Sequence, residues 1–222
     1  MPVYNASKYI VESITSILDQ TFEDFEFLII NDGSTDDTLK KIKLFADSRI
    51  HILNHKKNKG LIKSLNEGIK KSKGKYIARM DADDISHPLR LQKQVQYMEK
   101  KHDIGICGTW IKNFGDANYV WQTPGDPDEL NASLFFESMV AHPSVIMRKE
   151  FVQRHNIHYR QRYKYIEDYM LWIDGSEKFD ISNLELAILN PLKIVFSILL
   201  SFAIIAMPIA PISSQYFGTI IL

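Results

Sequence analysis

The alternation of two apolar patterns along the first hundred residues constrains the fold of this chain most strongly. Apolar residues at helical spacing occur in residues 7–20, 39–45, 61–69 and 88–98. Between them lie short apolar runs at residues 25–30, 49–54 and 76–80, which are typical of strands. Because the connections are short, the alternation predicts an α/β fold whose mostly parallel sheet is covered by helices on both faces.

The start of the sequence departs from this pattern. A sheet of this kind is expected to begin with a strand, whereas Pro2-Val3-Tyr4-Asn5 resembles only the last residues of one. We therefore expect that the sequence is a fragment or has a misplaced start. Loss of most of a central strand should open the core and cost several kcal/mol, by analogy with cavity costs of ~2–5 kcal/mol per large side chain. The domain as written is thus predicted to fold poorly.

The end of the sequence is strongly apolar. We place the end of the folded domain at residue 183, and residues 184–222 form an apolar segment with no charged side chain after Lys193. A spanning helix needs roughly 20 apolar residues, a length reached only by running through Pro208 and Pro211. Three interpretations stay open: a membrane helix or re-entrant anchor within residues 192–212, a non-native tail, and a buried helix. Lys193 favours a domain in the cytoplasm, at the inner face of the plasma membrane.

Composition excludes several classes of function. The 27 basic and 27 acidic side chains balance, so the charge does not predict nucleic-acid binding. The single cysteine, Cys107, excludes an intrachain disulfide and is typical of a reducing compartment. No phosphate-binding P-loop or dinucleotide motif is present, and the seven histidines lack the spacing of a structural zinc site.

A cluster of carboxylates follows the apolar run at residues 76–80. Asp81, Asp83 and Asp84 fall within four residues, at the carboxyl end of a predicted strand. Ligands bind at such ends in open α/β sheets, and closely spaced carboxylates repel each other unless a cation lies between them. The cluster therefore predicts a site for a divalent metal completed by substrate phosphates. The alternative is a solvated acidic turn, in which Asp84 is the N-cap of the helix opened by Pro88.

Three other positions carry candidate site residues. Asp32 follows a strand and precedes Gly33, so it could accept a hydrogen bond from a ribose or a base, or form an ordinary turn. Glu167 and Asp168 begin a predicted helix, where the helix dipole favours negative charge in any case. His142, before a proline, either lines an acceptor pocket or belongs to a turn.

The order of these motifs is more specific than any one of them. From residue 2 to about residue 180 the series resembles the family 2 glycosyltransferases, which have the GT-A fold. The motifs that carry the resemblance are Pro2-Val3-Tyr4-Asn5, Asn31-Asp32-Gly33-Ser34, Asn58-Lys59-Gly60-Leu61, Arg79-Met80-Asp81-Ala82-Asp83-Asp84, His142-Pro143-Ser144 and Glu167-Asp168-Tyr169.

The resemblance implies a role for each motif. Asp81 and Asp83 would bind the ribose and the Mg²⁺ or Mn²⁺ that bridges the donor's diphosphate. Asp168 would be the catalytic base, with Glu167 and His142 on the acceptor side. The expected donor-binding residues are Pro2, Tyr4, Asp32, Lys59, Gly60, Arg79, Asp81, Ala82 and Asp83.

The implied function is the transfer of a sugar, with inversion, from a nucleotide-diphosphate donor to a glycan or lipid-linked acceptor in surface polysaccharide synthesis. A UDP-sugar is the expected donor. Two alternatives stay open. A nucleotidyltransferase would need a basic, glycine-rich phosphate loop near the N-terminus, and Asn5-Ala6-Ser7 does not provide one. The second alternative is a truncated remnant that binds nucleotide sugars without catalysing a reaction.

Overall fold

The computed structural model describes residues 1–113 and 119–191 of the chain. The strands are β1 (Pro2–Val3), β2 (Phe27–Asn31), β3 (Ile50–Asn54), β4 (Tyr76–Ala78), β5 (Asp84–Ser86), β6 (Ile104–Asn113), β7 (Tyr119–Trp121), β8 (Ile146–Arg148) and β9 (Asp180–Pro191). The helices are α1 (Ile10–Leu18), α2 (Thr38–Ile42), α3 (Leu61–Lys71), α4 (Arg90–Lys100), α5 (Pro127–Ser133), α6 (Lys149–Arg154) and α7 (Glu167–Ser176).

The strands form two sheets. In the first, β1, β2 and β3 pair in parallel, with Pro2 beside Ile30 and Phe27 beside Ile50. In the second, the order is β4-β8-β6-β9-β5, with β7 added to β6. There β6 and β9 pair in parallel and the remaining pairs are antiparallel. The predicted α/β class is confirmed.

Packing of α7 against the second sheet positions its acidic first turn. Leu171 and Trp172 are fully buried and share a core cluster with Ile106 of β6 and Met147 of β8. Burial of these large side chains holds the helix in place through the loss of apolar surface from water. The position of Asp168, at the start of the same helix, is therefore set by the core.

A cavity of about 860 Å³ is lined by residues of β2, including Leu28 and Ile30, and by residues of β4, including Ile77 and Ala78. The Met1 ammonium group closes one part of it and donates to the Leu28 carbonyl oxygen at 2.8 Å. Burial lowers the pKa of this ammonium group to about 5. The opened core and the poor folding of the chain stay predictions.

Two boundaries differ from the sequence analysis. The helix expected from Pro88 begins at Arg90. It is preceded by the strand β5, which was not expected and which pairs with β9. The domain end expected at residue 183 falls inside β9, which pairs with β6 and β5 up to Pro191. In the described part of the chain, no helix combines the length and apolar character needed to cross a bilayer. The segment 192–212, expected to associate with a membrane, lies outside the described residues.

Candidate active site

The loops that follow β1 and β2 are joined by hydrogen bonds. The Asn5 side-chain oxygen accepts from the Thr35 backbone N–H at 2.8 Å, and the Ser34 hydroxyl accepts from the Asn5 N–H at 3.0 Å. Pro2 lies in β1, and Tyr4, which is 50% exposed, lies just beyond the strand. The first two motifs of the series thus lie side by side at the carboxyl edge of the first sheet.

Asp32 is held by three donors of the chain itself. Its Oδ1 lies 2.7 Å from His55 Nδ1 and accepts from the Lys59 N–H at 2.9 Å, while Oδ2 accepts from the Gly60 N–H at 2.8 Å. The residue is only 3% exposed. Burial alone would raise the pKa of Asp32, but the bonds from His55, Lys59 and Gly60 outweigh burial and lower the pKa. Asp32 is therefore an oriented carboxylate that joins two of the expected donor-binding residues.

Two glycines make this arrangement possible. Gly60 has a φ of +93° and Gly33 a φ of +71°, both in the left-handed region that favours glycine. A Cβ on Gly33 would lie 2.4 Å from the Lys57 carbonyl carbon, so a side chain there would collide with backbone. Glycine at residue 33 therefore lets the loop before α3 pack on the end of β2.

Arg79 follows β4 and is 6% exposed. Its Nη2 donates to Asp81 Oδ1 at 2.6 Å, whereas its buried Nε and Nη1 have no acceptor among the described residues. Buried guanidinium donors are almost always paired in proteins, and the guanidinium fork matches phosphate geometry. The two unpaired donors therefore fit an anionic ligand, such as the diphosphate expected from the resemblance.

The Asp84 side chain does not cap a helix, which corrects one alternative for this residue. Asp84 lies in β5, and α4 begins later, after Leu89. Burial, followed by the charges of Asp81 and Asp83, raises the pKa of Asp84 to about 8. The Ser13 hydroxyl lies 2.8 Å from each of the Ala82 and Asp84 carbonyl oxygens and fixes the backbone on both sides of Asp83.

Asp81 and Asp83 are the partly exposed members of the cluster. Among the described residues, no group of three or more histidine, cysteine, aspartate or glutamate side chains is arranged to hold a metal ion. Mg²⁺ is usually bound through only one or two carboxylates, together with substrate phosphates and water. The repulsion that helps to raise the pKa of Asp84 would be relieved by a cation. These residues therefore fit a divalent metal that binds together with a diphosphate.

Arg90 and Gln94 are buried residues that hold the backbone of the site through hydrogen bonds to carbonyl oxygens. The sequence analysis missed both. Arg90 is buried, and its Nη2 donates to the Arg79 carbonyl oxygen at 2.7 Å. Its Nε donates to Gln94 Oε1 at 3.1 Å, and Gln94 Nε2 donates to the Ser144 carbonyl oxygen at 2.8 Å. Their i, i+4 spacing on the apolar face of a helix is the one signal of this role in the sequence.

Asp168 lies in the first turn of α7 with 31% of its side chain exposed. Burial raises the pKa of Asp168 above its ordinary value, against the lowering effect of a hydrogen bond from the Tyr169 N–H and of the Arg79 charge. A raised pKa makes this carboxylate a better proton acceptor. Glu167 instead accepts from the Tyr165 N–H at 2.6 Å, which fits support of the loop rather than proton transfer.

His142 lies in the core beside Asp168. The residue is 9% exposed, with Nε2 at 2.8 Å from the Tyr159 hydroxyl and Nδ1 at 3.9 Å from Asp168 Oδ2. Burial, and then the Arg79 charge, lower the pKa of His142 well below its ordinary value. The ring therefore lies behind the candidate base and not on an open acceptor surface. Tyr159 was missed, because no local pattern marks it.

The buried, neutral His142 predicts a loss of stability in acid. The unfolded state takes up a proton below pH 6.5, the ordinary pKa of a histidine side chain, while the folded state does not. Because the unfolded state then binds more protons, the free energy of unfolding falls as pH decreases, by up to ~1.4 kcal/mol per pH unit. We expect His142→Gln to flatten this dependence in urea unfolding between pH 7.5 and pH 5.5. His158→Gln, an exposed control, should leave it unchanged, and equal slopes for both variants would contradict the prediction.

The structure brings the expected catalytic and metal-binding residues together. Burial raises the pKa of Asp168, on which the Arg79 charge also acts, and burial raises the pKa of the Tyr159 hydroxyl, on which Arg79, Asp168 and Asp81 also act. The site therefore offers a half-buried base, a buried cation with unpaired donors and a pair of carboxylates. Such a set can accept a proton on one side while neutralising an anionic leaving group on the other.

Curated relatives are similar to this chain over most of its length. An uncharacterized glycosyltransferase of Haemophilus influenzae is 36% identical over 81% of this chain and 60% of its own length. The O-antigen biosynthesis glycosyltransferase WbnJ of Escherichia coli is 35% identical over 78% of this chain and 68% of its own length. The chain spans 60%, 29% and 66% of the length of three such relatives, which is less than two thirds.

Solved structures share the fold. Staphylococcus aureus TarS in complex with UDP-GlcNAc superimposes with a TM-score of 0.75 at 21% identity, covering 86% of this chain and 57% of that one. The mannosyltransferase PcManGT from Pyrobaculum calidifontis, in complex with GDP-Man and Mn²⁺, gives a TM-score of 0.66 at 14% identity, covering 86% of this chain and 55% of that one. The expected GT-A fold is confirmed. The family model for glycosyl transferase family 2 matches residues 1–162, and the chain belongs to that family.

Proposed function

We propose that this domain transfers a sugar, with inversion, from a UDP-sugar to a hydroxyl group of a glycan or lipid-linked acceptor in surface polysaccharide synthesis. WbnJ, a relative named for O-antigen biosynthesis, supports the pathway, and the UDP-GlcNAc complex of TarS supports the donor class. The proposed location is the cytoplasm, at the inner face of the membrane. The free, buried Cys107 fits a reducing compartment.

The observation that carries the proposal is that the charge of Arg79 reaches Asp168, a carboxylate whose pKa is raised by burial and lowered by that charge. Asp168 is a partly buried carboxylate, and Arg79 is a buried guanidinium with two donors that lack an acceptor among the described residues. The first suits a base for an acceptor hydroxyl, and the second suits a diphosphate leaving group. A binding module without catalysis would have no need for a partly buried proton acceptor near its anion site.

The proposed reaction is a single displacement. The acceptor oxygen forms a bond to the anomeric carbon as the bond from that carbon to the diphosphate oxygen breaks, with the electron pair leaving on the diphosphate. Asp168 takes the acceptor proton during this step. Arg79 donates hydrogen bonds to the departing diphosphate, and Asp32, Lys59 and Gly60 hold the loops that bind the nucleoside.

Asp81 and Asp83 are the proposed holders of the metal, with Mg²⁺ or Mn²⁺ as the candidate ions. When bound, the ion supplies positive charge beside the diphosphate. The Mn²⁺ in the PcManGT structure supports this choice of ion. Asp84 remains the buried member of the cluster, held by β5.

A panel of nucleotide sugars tests the proposal. The purified chain is incubated with UDP-, GDP- and dTDP-sugars, with Mn²⁺ or with EDTA, and release of the nucleoside diphosphate is measured. We expect metal-dependent release from one or more UDP-sugars, and less from the other two classes. Release from GDP-sugars alone would overturn the donor assignment, and no release from any donor would overturn the enzymatic proposal.

A further inference from the structure

His55 bridges two carboxylates in the interior of the protein. Its Nδ1 lies 2.7 Å from Asp32 Oδ1, and its Nε2 lies 2.9 Å from Glu67 Oε2 on α3. The imidazole ring is 3% exposed. The other charges that act on this group are those of Lys59, whose Nζ lies 3.7 Å from Glu67 Oε2, and Lys71.

Each nitrogen of the ring faces a carboxylate oxygen at hydrogen-bond distance. Burial alone would raise the pKa values of both Asp32 and Glu67. The bonds from His55, joined by backbone N–H bonds at Asp32 and by the Lys59 charge at Glu67, outweigh burial and lower both pKa values. Both carboxylates are therefore ionised at neutral pH and can only accept hydrogen bonds, and a ring that donates from both nitrogens, as an imidazolium does, satisfies both contacts.

The bonds to Asp32 leave a defined capacity for a ligand. An ionised carboxylate has about four acceptor positions. Oδ1 of Asp32 receives two donors, from His55 and the Lys59 N–H, whereas Oδ2 receives one, from the Gly60 N–H. Among the described residues, one acceptor position on Oδ2 therefore remains.

We propose that His55, as an imidazolium clamped between Asp32 and Glu67, is a positioning residue that turns Asp32 so that Oδ2 accepts one donor group from the nucleoside of the sugar donor. This inference rests on the proposed function, because it concerns the donor-binding side of the same site. His55 touches Asp32 and not the ligand, so it acts through the carboxylate. A base or ribose that presents an N–H or O–H donor fits the remaining acceptor position.

A matched pair of variants separates positioning from packing. In His55→Asn the amide nitrogen replaces Nδ1 and keeps the bond to Asp32, whereas in His55→Gln it replaces Nε2 and keeps the bond to Glu67. Affinity for uridine diphosphate with Mn²⁺ is measured by calorimetry. We expect His55→Asn to bind within about threefold of the wild-type chain and His55→Gln to bind about tenfold more weakly, because a hydrogen bond to a charged group is lost. Equal affinities of the two variants would overturn the positioning role.

The protonation of the ring is tested without any ligand. Nitrogen NMR of the wild-type chain at pH 7, with the His55 signals assigned by through-bond correlation to its own backbone, should show a proton on both ring nitrogens. A bare nitrogen would overturn the imidazolium clamp even if the variants fail to fold. If the wild-type chain binds neither UDP nor GDP, the proposed function fails and the positioning role fails with it. If the wild-type chain binds UDP and the two variants bind it equally well, only the positioning role of His55 is overturned.

Discussion

Replacing Asp168 by asparagine is expected to lower the rate of sugar transfer by ~10²–10⁴-fold, which is the usual contribution of a positioned general base. The amide has nearly the same shape and can still accept from the Tyr169 N–H, now bonded to Asp168 Oδ1 at 2.8 Å. It cannot take a proton from the acceptor hydroxyl. We therefore expect kcat to fall while the affinity for uridine diphosphate stays within about threefold of the wild-type value.

The control for this variant is Glu177→Gln, which makes the same change at an exposed carboxylate just beyond α7. It should retain wild-type turnover. The wild-type rate should also fall in acid as Asp168 becomes protonated, with the midpoint above the ordinary value because burial raises this pKa. Near-wild-type turnover of Asp168→Asn, with thermal unfolding unchanged, would exclude Asp168 as the base.

Replacing Asp83 by asparagine should remove most of the metal-dependent part of donor binding. The wild-type chain is expected to bind uridine diphosphate more tightly with Mn²⁺ than with EDTA. In Asp83→Asn this difference in affinity should become smaller. Loss of an outer-shell partner costs ~10–100-fold in metal affinity, and loss of a direct ligand should cost at least as much. The measurement is the affinity of each protein for uridine diphosphate, once with Mn²⁺ and once with EDTA.

Asp103→Asn is the matched control for Asp83→Asn. Asp103 is exposed and lies just before β6, outside the cluster. The control should keep the full effect of Mn²⁺. Retention of that effect in Asp83→Asn would move the metal assignment to Asp81 or remove it, while its loss in both variants would point to a general effect of charge.

Much of the fold could be predicted from local patterns. The runs that became β2, β3 and β4 are short and apolar, and each precedes a polar turn, so their type and order followed from the sequence. β5 was not predicted because it has only three residues and pairs with β9, which lies far along the chain. The continuation of β9 past residue 183 was not predicted for the same reason, since β9 is stabilised by pairing with β6.

The candidate site was predictable where a residue's role depends on its place at a strand or helix end. Asp81, Asp83 and Asp168 fall in this class. The part played by His55 could not be predicted, because it depends on Glu67 twelve residues away and on Asp32, which follows β2 and is 23 residues away. The core position of His142 likewise depends on Tyr159 and on the packing of Trp172.

By itself the sequence determined the order of helices and strands from α1 to α4 apart from β5, the family, and the location of acidic residues at strand and helix ends. These follow from periodicity and turn chemistry, which are properties of neighbouring residues. Only the tertiary structure decided that Asp84 is buried, that two Arg79 donors lack an acceptor in the part of the chain that the structure describes, and that His55 joins two carboxylates. Burial and hydrogen-bond partners depend on distant segments packing together, so local patterns do not encode them.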